Sequence, residues 1–186
     1  MLMAGRPIVS LVVCLGSMMA TSALVHSIPA DATVPKYGAL ALFNTAVGFT
    51  LCPLMVLGGP LMLRAAAVTG GVVGSLAFVA ANSPSDQFLW MGGPLAMGLG
   101  AVVISSLGAS FLPSMAVASA MHKVSLYGGL VVFSGFVLYD TAKIVEKAKH
   151  SAEYDAVGAS MSIFMDAVNL FVRIVQMMAM SNNRRK

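Results

Sequence analysis

Charge is the scarcest ingredient of this sequence. Only 10% of its 186 residues are charged, against about 25% in an ordinary soluble domain. No polar shell can be built from so little, which excludes a soluble globular protein. Cysteine is scarce as well. Cys14 and Cys52 both lie in apolar runs without metal-ligand spacing, which excludes a disulfide framework and a zinc centre and leaves two small hydrophobes. A basic patch interleaved with aromatics is missing. The small net charge of +4 gathers in the closing "NNRRK", and that reads as a membrane-topology signal, not a nucleic-acid footprint. Apolar–polar alternation is missing too, which excludes strands, and so are internal repeats and low-complexity segments. His26, His122 and His150 have no partner at metal-site spacing, and the scattered methionines are membrane filler.

What the sequence has is hydrophobic length. Apolar residues make up 58% of it, with a mean hydropathy of +0.87. A spanning helix needs about 20 mostly apolar residues, and six stretches qualify: Pro7–Val25, Tyr37–Leu57, Leu61–Ala81, Phe88–Leu112, Val124–Val145 and Met161–Met180. The breaks between them carry turn chemistry, as in "HSIPADATVPK", "GGP" and "NSPSDQ". The expected fold is an all-α integral membrane protein, a bundle of six helices in one transmembrane domain covering 1–186. Glycine and serine inside the spans, as in "TGGVVGS" and "SSLGAS", suit close helix packing in lipid. The first stretch also fits a cleavable secretory signal, with Arg6 before it and "MMATSALVHS" closing it; its length favours a retained helix. With six spans, Arg6, Arg64, Lys123 and the terminal Arg184, Arg185 and Lys186 share the side of both termini. Lys36, Lys143, Lys147 and Lys149 stand opposite among Asp31, Glu146, Glu153 and Asp155. The bias puts both termini on the cytoplasmic or matrix side.

Two carboxylates interrupt the apolar runs. Asp140 lies five residues before the end of the fifth stretch and Asp166 five after the start of the sixth. Consecutive spans run antiparallel, so both sit roughly 8 Å below the same surface. In the sixth stretch Ser162, Asp166, Asn169, Arg173 and Gln176 recur at offsets of four and three, which puts all five on one helix face. A polar stripe on a spanning helix faces the bundle interior or a water-filled path, so this C-terminal helix is expected at the centre. Bland readings compete. Asp140 can pair with Lys143 one turn on, and Arg173 can serve Asp166 as a counter-ion about two turns away. Against the first, a carboxylate near a helix C-terminus opposes the macrodipole. Two carboxylates at close range titrate as a unit around one shared proton. Without that proton they form an oxygen-rich, doubly negative site for a hard cation such as Ca²⁺. Asp140 and Asp166 are therefore the candidate ion and proton site.

The run "YGGLVVFSGFVLYDTAKIV" followed by "MSIFMDAVNLFVRIVQMM" resembles the C-terminal signature of the transmembrane Bax inhibitor motif family. "LCPLMVLGGPLMLRAA", "NSPSDQFLWMGGPLAMGLG", "SSLGASFLP" and the terminal "NNRRK" look closer still to its mitochondrial branch. The resemblance covers nearly the whole chain from about Val25. It implies seven or eight helices with the last signature helix central, a di-aspartyl pH sensor falling on Asp140 and Asp166, and cation leak or Ca²⁺/H⁺ exchange with no resident cofactor. For the branch it implies the mitochondrial inner membrane, cristae organisation and contact with a quality-control protease there. Two departures stand out. The chain starts later than the family pattern, as a processed, partial or shortened form would. The family's latch arginine, near the end of an early helix, is replaced by His26 in "LVHSIP", with Arg173 or Arg64 as substitutes.

Three functions follow. One is an ion carrier using the aspartate pair. Another is a structural membrane protein that scaffolds cristae or accompanies respiratory-complex subunits. The third, an intramembrane aspartyl enzyme, lacks the "GxGD" arrangement around both aspartates, so no enzyme is expected.

Overall fold

The computed structural model describes residues 7–84, 86–111, 115–150 and 154–183. Its elements are α1 (Pro7–Ser27), α2 (Thr33–Leu51), a 3₁₀ segment (Cys52–Leu57), α3 (Gly59–Asn82), α4 (Asp86–Leu89), α5 (Gly92–Phe111), α6 (Met115–His150) and α7 (Ala156–Asn183). No strand occurs among the described residues. Five described segments are long and apolar enough to cross a membrane: Thr33–Leu57, Gly59–Asn82, Asp86–Ala109, Ala116–His150 and Ala156–Asn182. The protein is an all-α membrane protein, and α1 forms a further helix on the first expected stretch.

Local chemistry sets the breaks. Pro53 has no N–H to offer the Phe49 carbonyl, which accepts from Cys52 N–H instead, so α2 tightens into the 3₁₀ segment. Gly58 opens α3 at φ 94°, a conformation that needs glycine, and Pro60 sits in the first turn. The expected span Phe88–Leu112 is not continuous. A turn at Trp90 and Met91 separates α4 from α5, because Gly92, Gly93 and Pro94 favour a fresh helix start. The fifth expected stretch is longer than expected: α6 runs 36 residues. Much of "PSMAVASAMHK", expected as a loop, is helical, since Ala, Met and Lys are good helix formers.

The described chain forms two compact units. One holds Met1–Val56 with Ala152–Met161, the other Leu57–Ser151 with Ser162–Lys186. In the first, α1 packs on α2 around buried Val25, Ala39, Phe43 and Val47. Lys36, read above as a surface topology charge, is 2% exposed. Its Nζ lies 2.7 Å from Asp155 Oδ2 and donates to the Ile28 carbonyl at 2.9 Å. In the second unit α6 packs against α3, α4 and α5. Phe133, Val137 and Leu170 form its buried centre, with Val73, Leu76, Ala77 and Leu99 against them. A Cβ at Gly98 would lie 2.8 Å from Val132 Cγ2, so α5 approaches α6 as closely as a missing side chain allows. The outward faces remain apolar, with Phe78, Met97, Ile104 and Val131 each exposed, as suits contact with lipid.

Candidate intramembrane site

From Met161 to Met180 every residue of α7 is buried or half-buried except Phe164. A helix covered to this extent can shelter the polar groups of its stripe. Asp166 is buried at 7% exposure, while Ser162, Asn169, Arg173 and Gln176 are half-buried.

Asp140 precedes the end of α6 at His150 by ten residues, and Asp166 follows the start of α7 at Ala156 by ten. Each carboxylate thus stands about 15 Å along its helix from that end, where the expected spans gave roughly 8 Å, because both helices are longer than expected. The two carboxyl groups lie within Coulombic range of each other. Asp140 accepts a hydrogen bond from Ser162 and feels Lys143 and Lys147. Lys143 does not bond to it: the Lys143 Nζ lies over the Tyr139 ring, 5.4 Å from its centroid. Asp166 Oδ2 is buried without a hydrogen-bond partner, as is the hydroxyl of Thr141 beside Asp140.

The stripe continues into a partly open cavity of about 400 Å³, lined by Ser106, His122, Ser125, Asn169, Arg173 and Gln176 among others. Arg173 does not reach back to Asp166, and among the described residues it makes no ion pair. Its guanidinium turns to α6, where one Nη donates to the Ser125 carbonyl and Cζ lies 5.1 Å from the Phe133 ring centroid. A Cβ on Gly129 would collide with that guanidinium, so the glycine leaves its path open. Asn169 Nδ2 donates to the Met165 carbonyl at 2.9 Å.

Two latch candidates remain. Exposed Arg64 lines a second cavity with Leu57, Pro60, Leu61, Met178, Ser181 and Asn182, beside the end of α7 that Asp166 does not occupy. His26 belongs to the first unit. Its Nδ1 donates to the Ser22 carbonyl at 2.9 Å, and it lies within Coulombic range of Asp155. Among the described residues no group of three or more His, Cys, Asp or Glu side chains converges as a metal cage.

The family model for the inhibitor of apoptosis-promoting Bax1 matches residues 1–183. The chain belongs to the Bax inhibitor family. It is 45% identical over 177 residues to growth hormone-inducible transmembrane protein of Rattus norvegicus, covering 91% of this chain and 51% of that protein. Against Bax inhibitor 1 of Homo sapiens it is 35% identical over 100 residues, 54% of this chain and 40% of that one. Against Bax inhibitor 1 of Arabidopsis thaliana it is 33% identical over 116 residues, 60% and 45% of the two chains. The chain thus spans about half the length of the curated relatives it matches. No solved structure matches it. Within this Bax inhibitor chain, sequence reasoning missed Ser125, Gly129 and the Lys36–Asp155 pair. Only the glycine had a visible signal, the small residue of "YGG" inside a spanning run.

Proposed function

We propose that this membrane protein of the Bax inhibitor family is a pH-gated cation carrier or leak, exchanging Ca²⁺ for H⁺ through Asp140 and Asp166, and not an enzyme. The observation that carries the reading is Asp166: a buried carboxyl with one oxygen unpartnered, in Coulombic range of a second carboxyl. A shared proton closes such a pair, and a hard cation replaces the proton when it leaves. Two carboxylates and the Ser162 hydroxyl fall short of the 6–8 oxygens Ca²⁺ prefers. Water completes the shell, which suits an ion in transit, with Asn169, Arg173 and Gln176 along the path.

The mitochondrial inner membrane as its location, with a quality-control protease or respiratory-complex subunits as neighbours, rests on the likeness to that branch; submitochondrial fractionation checks it. Flux decides the mechanism. Proteoliposomes holding the wild type should pass Ca²⁺ with a pH dependence between pH 6 and 8, and Asp166→Asn and Asp140→Asn should each abolish that dependence, because the shared proton belongs to the pair. An unchanged pH profile in both variants, or no flux under any gradient, would leave a structural role in cristae or a respiratory assembly.

A further inference from the structure

The cavity on α7 has a sign of its own. Asp140 and Asp166 lie outside its lining, which holds no carboxylate among the described residues. Its permanent charge is Arg173, ten residues before the end of α7 at Asn183, about 15 Å along the helix. A guanidinium at that depth is costly unless something answers its charge. The Ser125 carbonyl and the Phe133 ring hold it in place but are neutral, and its buried Nε has no partner. The hydroxyls nearby are already engaged: Ser106 donates to the Val102 carbonyl at 2.8 Å and lies 2.5 Å from the Ser125 hydroxyl. The Gln176 amide and the His122 ring share the lining with the Arg173 guanidinium and can add N–H donors to it.

From this arrangement we infer that the cavity binds an oxyanion of the phosphate class, with Arg173 as the anchoring cation and Gln176 and His122 as supporting donors. The planar guanidinium matches two oxygens of a phosphate, and Gly129 gives it the room to stand there. About 400 Å³ accommodates the anion with water around it. Free phosphate and the headgroup of an anionic lipid share this chemistry. The cavity shares Asn169, Arg173 and Gln176 with the proposed cation path, but anion binding there needs no ion at the aspartate pair, and its readout is binding, not flux.

The test uses the full chain in two arms. Inorganic phosphate is titrated into the protein in neutral detergent by calorimetry. In parallel, the lipid retained by protein from nanodiscs of phosphatidylcholine with phosphatidylglycerol is quantified. Arg173→Gln should weaken binding by about tenfold or more, the loss of charge-assisted hydrogen bonds, whereas Arg173→Lys should keep part of it. Ala118→Phe, which fills the cavity from its wall with Arg173 intact, should show the same loss and serves if Arg173→Gln does not fold. Saturable phosphate binding lost in these variants assigns a free anion; phosphatidylglycerol retained by the wild type and lost in them assigns a lipid headgroup. Neither signal in the wild type, or a signal unchanged in whichever of the two variants folds, overturns the site.

Discussion

Asp155→Asn should destabilise the first unit more than Lys36→Met, although both delete the same ion pair. The reason lies in what each leaves behind. Removing one partner of a buried pair costs about 3–5 kcal/mol, because the other charge is stranded. Lys36 is the stranded one here, its side chain 3% exposed against 34% for Asp155. The Ile28 carbonyl still accepts from it and water reaches the Asp155 position, so the expected loss falls to about 2 kcal/mol. Lys36→Met strands a carboxylate that keeps both solvent and the Gly158 N–H at 3.0 Å, for about 1 kcal/mol. The double variant should be no worse than Asp155→Asn alone. Acid should act in the same direction. Burial pushes the Asp155 carboxyl up, but the Gly158 N–H and Lys36 outweigh it and hold the carboxyl below the ordinary range. Its contribution is therefore complete above the unfolded value of about 3.9 and lost as pH falls through the lower folded value. Unfolding in SDS–detergent mixtures, followed by circular dichroism at pH 7 and pH 3, measures both effects. Lys36→Met as damaging as Asp155→Asn, or strictly additive losses in the double variant, would refute the reasoning.

Two further substitutions probe the second unit. Gly129→Ala puts a methyl group where the Arg173 guanidinium passes and should break its bond to the Ser125 carbonyl. The expected loss is about 1.5–3 kcal/mol in the same unfolding assay, whereas Ser125→Ala keeps the carbonyl that accepts from Arg173 and loses only its hydroxyl bond to Ser106, about 1 kcal/mol. Gly98→Ala drives a methyl group against Val132 and should cost about 1–3 kcal/mol as overpacking; pairing it with Val132→Ala should recover most of that, measured as a double-mutant cycle.

Counting along the chain put Asp140 and Asp166 at matched distances from the ends of consecutive spans, and in the structure each stands ten residues from such an end. The three- and four-residue spacing of Ser162, Asp166, Asn169, Arg173 and Gln176 marked one face of the helix, on which Asp166 is buried and the other four are half-buried. The helix ends were less legible. Lys123, Glu146, Lys147 and Lys149 look like loop residues in a hydropathy reading, yet a helix continues into water as readily as it crosses lipid. The partners of Arg173 were invisible, because a backbone carbonyl and a ring face leave no pattern in a sequence. Lys36 shows the deepest limit: its burial depends on Asp155, more than a hundred positions away, and no local property of "VPKYG" announces it.

The 36 residues of α6 extend about 54 Å at 1.5 Å per residue, whereas the hydrocarbon core is about 30 Å thick. An ordinary tilt of about 20° shortens the projection only slightly, so about 20 Å of this helix extends beyond the hydrocarbon core. Lys147, Lys149 and His150, all exposed, mark one end of the excess. At that end the residues beyond the hydrocarbon core are already polar, so a thinner bilayer uncovers little apolar surface there. The helix that carries Asp140 is in this sense a shaft with an external handle, open to force and to reagents from the aqueous side.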